Sequence, residues 1–236
     1  QVVASAVSSL PAATRGLLEL GSCLGPELDG ELLALASGHP LLDVMDLLEP
    51  ALQAGMVVRC DRQGVVGRPE LGRCWRFAHE RLHQSIYQAL EADTRRSNHR
   101  RIVRRLRRAW NQDQSVRVLF TVADQLHQLS PQGEKPAARQ ARIELLMEAG
   151  HQAVACAAWS TGERHLEAAL EVLPSSEASQ ERSLELHRLL AQAMQATGRF
   201  DRAEGLLDRA LALAGGQEEV VALRVQRVTM LVHAAR

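Results

Sequence analysis

One pattern occurs twice in this chain, 41 positions apart, and no other feature limits the fold as strongly. Gly198-Arg199-Phe200-Asp201-Arg202-Ala203-Glu204, followed by Leu207, Ala210 and Leu211, reads as a turn opening a helix. Shifted back, Trp159 falls under Phe200, Gly162 under Ala203 and Glu163 under Glu204. Leu166, Ala169 and Leu170 fall under Leu207, Ala210 and Leu211. Small residues at 203 and 210 let two helices approach closely. A helical pair of this kind cannot bury its apolar face alone and stacks on its neighbours. Leu173-Pro174 ends the first unit, and Glu218 to Arg236 reads as the start of a third pair, truncated.

The N-terminal half follows a different order. Leu10-Pro11-Ala12-Ala13-Thr14 opens a helix with Leu17, Leu18, Leu20 and Leu24 on its apolar side, ended by Gly25-Pro26. Asp29 caps a second helix through Ala36, closed by Gly38. A third helix spans roughly Leu41 to Ala54, closed by Gly55, and Pro50 within it predicts a kink or a break into two short helices. The period then changes. Met56-Val57-Val58-Arg59-Cys60 and Cys74-Trp75-Arg76-Phe77 read as two strands joined by a Gly/Pro-containing stretch. Three helices followed by a β-hairpin is the winged-helix order. From His79 onward the chain reads as helical: Leu82, Ile86, Tyr87 and Leu90 mark one helix, His99, Ile102, Val103, Leu106 and Trp110 the next, and Val116 to Leu129 a third.

The expected fold is therefore mainly α. A winged-helix module with one small β-hairpin near residues 56–78 occupies residues 1–90, connecting helices residues 91–136, and helical repeats residues 137–236. The composition agrees: 46% apolar with only 3% aromatic, so Leu, Ala and Val carry the core. No run of about 18 apolar residues predicts a membrane span. The four cysteines, Cys23, Cys60, Cys74 and Cys156, form no C-x-x-C pair and read as reduced thiols of a cytoplasmic protein. Cys60 and Cys74 are placed to face each other across the hairpin. The chain begins at Gln1 and stops inside a helical pattern at Arg236, as a segment cut from a longer polypeptide would.

Several stretches together resemble the region behind the nucleotide-binding domain of bacterial AAA/STAND signalling ATPases, such as hybrid serine/threonine–histidine kinases and maltose-regulator-like activators. Leu10 to Thr14 with Leu17 to Gly21 resembles the family's first winged helix. Ala51-Leu52-Gln53-Ala54-Gly55-Met56-Val57 resembles its third helix entering the wing. Trp75-Arg76-Phe77-Ala78-His79-Glu80-Arg81 with Tyr87 resembles its strand-to-helix junction, although His83 stands where the family usually has Gln. Phe120 to His127 is similar to a helix of the hybrid kinases, and the 41-residue units resemble tetratricopeptide repeats. The resemblance covers nearly the whole chain. It implies a non-catalytic regulatory segment, with the ATPase and its ATP in an upstream domain of the same polypeptide, and a protein or effector on the helical array.

Net charge is zero, with 28 basic and 28 acidic residues, but unevenly spread. Residues 1–58 carry −6, residues 59–110 carry +9 and the remainder −3, so an electrostatic partner belongs in the middle. Arg95, Arg96, Arg100, Arg101, Arg104, Arg105, Arg107 and Arg108 crowd one helix. They flank an intact apolar stripe, as solvated side chains do. Arg100, Arg101, Arg104, Arg105, Arg107 and Arg108 are the interaction candidates, for an acidic partner, another domain or the phosphates of a nucleic acid. The third helix argues against DNA, because Asp43, Asp46 and Glu49 would be repelled by phosphates. Arg59, Arg62, Arg68, Arg73 and Arg76 around the wing keep a DNA-binding regulator as an alternative.

Enzyme signatures are sparse. Lys135 is the only lysine and no G-x-x-x-x-G-K-[ST] occurs, so this segment holds no P-loop and no cofactor is expected in it. His79-Glu80-Arg81-Leu82-His83 fits H-E-x-x-H, in which two histidines four apart bind zinc and the glutamate acts as general base. A catalytic site needs a third protein ligand, and Glu91 is too close on the same predicted helix. The zinc hydrolase using His79, Glu80 and His83 is the second alternative; its plain counterpart has His79 as a junction residue. No catalytic residue is assigned.

Overall fold

The computed structural model describes residues 6–61, 73–174, 176 and 179–234. The chain is mainly helical, with one small three-stranded antiparallel sheet of order β1-β3-β2. It divides into two compact units, residues 1–129 and 130–236.

In the first unit α1 (Ala12–Leu24) leads through β1 (Glu27–Asp29) into α2 (Gly30–Ser37) and α3 (Leu41–Gln53). Then follow β2 (Val57–Asp61), β3 (Arg73–Phe77), α4 (Glu80–Ala89), α5 (Ala92–Asp113) and α6 (Val116–His127). Asp29 caps α2 as its sequence position predicts: its carboxylate accepts from the backbone N–H groups of Glu31 and Leu32, both at 3.1 Å. Gly38 ends α2 in the left-handed region at φ 80°.

Two expectations are corrected. The sheet is not a hairpin alone. Glu27–Asp29 adds a third strand on the far side of β3, with Leu28 opposite Trp75 and Asp29 opposite Cys74. Leu28 is fully buried and drives that pairing. Nor does Pro50 break α3, which runs unbroken from Leu41 to Gln53. Pro50 lies in the last turn, and the residue whose carbonyl it leaves free, Asp46, is exposed to water. Residues 62–72, with Arg62 and Arg68, lie outside the described residues. Leu18, Leu28, Leu33, Val44, Leu48, Trp75 and Phe77 share one core in which α1, α2 and α3 close over the sheet.

The second unit is built of α7 (Pro136–Ala155), α8 (Trp159–Val172), α9 (Gln180–Ala196), α10 (Phe200–Leu213) and α11 (Gln217–Ala234). The 41-residue recurrence of the sequence is a recurrence of backbone. α8 and α10 are each 14 residues long, and their ends differ by 41 positions. The turn before each repeats as well. Ala157 and Gly198 take positive φ of 58° and 77°. Ala158 and Arg199 share an N-cap geometry (φ −84°, ψ 60° and φ −91°, ψ 62°). Ala158 N–H donates to the Ala153 carbonyl at 2.8 Å and Arg199 N–H to the Met194 carbonyl at 2.9 Å.

Two glycines let the helices of the first hairpin approach closely. A Cβ on Gly150 would meet Leu166 at 2.5 Å, and one on Gly162 would meet Val154 at 3.0 Å. In the second hairpin alanines serve, with Ala191, Ala203 and Ala210 in one cluster with Leu207. Trp at position 210, which is fully buried, should therefore force the hairpin apart. Overpacking of this kind costs about 1–3 kcal/mol. Ala210→Trp is expected to lower the thermal midpoint by several degrees, and unchanged melting would contradict the close helix approach.

Candidate interaction surface

α5 carries the densest charge in the chain, and its packing sorts the arginines into two groups. His99, Ile102 and Leu106 form its buried face, which lies against α6 and α2. Three arginines border that face and serve the fold. Arg95 stacks its guanidinium over the Tyr87 ring at 4.6 Å and donates to the Leu90 carbonyl at 3.0 Å. Arg101 donates to the Ser37 carbonyl at 2.6 Å, the last carbonyl of α2, where a cation also meets the negative end of the helix dipole. Arg105 lies against Gly38, where any Cβ would collide with its guanidinium. Burial, and then the positive Arg105 and Arg104, push Arg101 below the usual arginine value.

Arg100, Arg104, Arg107 and Arg108 are different. All four are exposed, and their spacing of i, i+4, i+7 and i+8 sets them on one outward ridge. Among the described residues no ion pair involves them. Like charges four apart on a helix cost about 0.2–0.5 kcal/mol per pair. Arg96, Arg100, Arg104 and Arg108 form such a series, eased at its start by the Arg96–Asp93 contact at 3.0 Å. Among the described residues no acid relieves this mild strain on α5. Asp43, Asp46 and Glu49 stand exposed on α3, and Glu49 is 3.8 Å from Arg59.

The H-E-x-x-H residues do not sit on one helical face. His79 has extended backbone (φ −139°, ψ 142°) at the N-cap of α4, before the helix begins, and its side chain is exposed. Glu80 accepts from Gln84 at 3.2 Å. His83 Nε2 donates to the Ser22 carbonyl at 2.9 Å, and the ring packs between Phe77 and Tyr87. Among the described residues no group of three or more His, Cys, Asp and Glu side chains gathers as a metal site.

Sequence reasoning missed a buried polar chain beside it. Tyr87 Oη lies 3.1 Å from His99 Nε2, His99 Nδ1 lies 2.6 Å from Gln125 Oε1, and Gln125 Nε2 donates to the Cys23 carbonyl at 2.9 Å. A carbonyl only accepts, which fixes the Gln125 amide. Its oxygen then requires a proton on His99 Nδ1, and in the neutral ring Nε2 accepts from the tyrosine. Burial lowers the pKa of His99, which favours the neutral ring. Burial also pushes the Cys23 thiol up to about 11, far from a thiolate at neutral pH. All four cysteines are free, and Cys60 stands opposite Cys74 in the sheet. The periodicity that marks His99 as a core position was the one signal of this chain; its partners are 12 and 26 residues away.

In the second unit, an open groove of about 540 Å³ runs between α9 and α11, lined by Arg188, Gln192, Gln195, Val225, Gln226 and Thr229 among others. Among the described residues no helix is long and apolar enough to cross a membrane.

Two predictions follow from the division of α5. Arg101→Ala strips a charged donor from a helix-end carbonyl and should cost about 1–2 kcal/mol in denaturant unfolding. Arg104→Ala should stay within about 0.5 kcal/mol. Equal losses would erase the distinction between the two groups. For His99 the sign is fixed by its lowered folded pKa: above the unfolded value near 6.5 both states are neutral and stability is complete. As pH falls below it the unfolded chain takes up a proton first, so stability declines until the folded ring also titrates. His99→Gln should flatten that decline, and an NMR midpoint for His99 at or above 6.5 would refute it.

No protein-family model matches the chain, and no curated protein and no solved structure matches it either.

Proposed function

We propose that this chain is a non-catalytic regulatory and interaction segment of a multidomain signal-transduction ATPase. In this reading residues 1–90 are a winged-helix module, and the second unit is a tetratricopeptide-like array. The observation that carries the reading is the 41-residue recurrence of helix, turn and cap geometry. Stacked helical hairpins expose continuous surface for a partner rather than an enclosed reaction site. The three helices that precede β2 and β3, with the sequence resemblance at the strand-to-helix junction, support the first module. The segment would couple the nucleotide state of an ATP-binding domain of the same polypeptide to an output domain, with a protein or effector on the array.

A second reading, a DNA-binding regulator, has one specific observation in its favour. Arg100, Arg104, Arg107 and Arg108 stand exposed on one ridge, and among the described residues no acid pairs with them. Against it, the exposed acids of α3 would face phosphate in any docking of that helix into the major groove.

Fluorescence anisotropy of a labelled generic duplex, titrated with the chain at several salt concentrations, separates the two. The interaction reading expects no binding at low salt. Micromolar binding that weakens steeply with salt, and is lost on Arg104→Ala with Arg108→Ala, would overturn it in favour of DNA.

A further inference from the structure

α11 is apolar on two opposite sides, and only one is covered. Leu223 and Met230 are buried against Ala191, Met194, Leu207 and Ala210. Val221, Val225, Val228 and Val232, at i, i+4, i+7 and i+11, are 56%, 60%, 60% and 50% exposed. At 100° per residue these four fall within a narrow stripe directly opposite Leu223 and Met230. A soluble surface rarely gathers such a row without use.

The repeat identifies the C-terminal half of that row, Val228 and Val232. Counted in steps of 41, Gly150, Ala191 and Val232 hold one position, and Leu146, His187 and Val228 another. Gly150 sits beneath Leu166 of α8, and Ala191 shares a cluster with Ala203, Leu207 and Ala210 of α10. Leu146 and His187 are both buried, at 1% and 7% exposure. In the first two turns of the series, then, these positions belong to the side that the hairpin's second helix closes. In α11 the same positions are valines open to solvent.

We infer that the valine stripe of α11 is the docking face for one amphipathic helix of the α8 and α10 kind, with leucine at the contact and alanine or glycine at the points of closest approach. The occupant is specified by the interface that already exists twice in this unit. It presents residues equivalent to Ala203, Leu207 and Ala210 to Val232 and Val228, antiparallel to α11. The groove beside α9 adjoins the stripe at Val225, and the arginine ridge of α5 takes no part. The inference deepens the interaction reading by naming the partner's chemistry. It rests on the hairpin repeat and not on any ATPase.

The probe is a labelled synthetic peptide with the sequence of residues 198–214, titrated into the full 236-residue chain, with a scrambled peptide of the same composition alongside. Saturable binding is expected for the first and none for the second. Val228→Glu and Val232→Glu should each weaken it about tenfold or more, the order expected for losing one buried valine. Both side chains are at least half exposed, so the melting midpoint should hold and a folding defect is excluded by the same samples. Arg188→Ala, in the neighbouring groove, should leave affinity unchanged. Two results would overturn the inference: no peptide binding with a monomeric chain, or concentration-dependent dimerisation abolished by Val228→Glu, which would make the stripe a contact between copies. Neither result alters the duplex titration, so the two readings fail separately.

Discussion

The first unit depends on how it satisfies the carbonyls at its helix ends. The last carbonyls of a helix have no partner inside it, and burying one unpaired costs about 1–3 kcal/mol. Ser22 and Cys23 lie in the buried last turn of α1, and Ser37 in that of α2. Each receives a side-chain donor from far along the chain: His83 on the Ser22 carbonyl, Gln125 on that of Cys23, Arg101 on that of Ser37. These bonds fix α4, α5 and α6 against α1 and α2 in a way that leucine packing alone would not, since apolar contact is non-directional. The helices read from sequence as connectors are in this sense the closure of the N-terminal core.

The same accounting explains why α5 tolerates so much charge. Its inward arginines are held by a ring, a carbonyl and a glycine surface, and their charge meets helix C-termini. Among the described residues its outer arginines have no such partners. The cost of keeping four like charges on one ridge is small beside a stability of several kcal/mol, so the fold permits them without requiring them. The second unit shows the parallel case for apolar surface, in which the valines of α11 add nothing to the core they turn away from.

Much of this was legible in the sequence where the cause is local. Asp29 as a cap, Gly38 as a stop, the change of period at Met56 and the 41-residue recurrence all follow from residues within one turn of each other, or from comparison of the chain with itself. Leu28 was not legible as a strand residue: three residues are too few for alternation, and its partner Trp75 lies 47 positions on. Pro50 does not break α3, because the damage a proline does depends on whether its orphaned carbonyl meets water. His79 and His83 matched a ligand spacing that presumes both lie on the helix, and the helix begins between them. The division of the arginines depended on what each met across space, and for Arg101 that is a carbonyl 64 residues earlier.

The distance between Cys23 and Gln125 sets an order of events during synthesis. The two are 102 residues apart, and chains grow at roughly 5–20 residues per second. For about 5–20 s the end of α1 has emerged while its donor does not yet exist, and an apolar helix waits with open carbonyls. The hairpins of the second unit wait for nothing so remote, since the second helix of each begins four positions after the first ends. One polypeptide therefore holds a late-closing module and an early-closing one. Completion of the N-terminal module is scheduled by its last helix, α6, which carries Gln125.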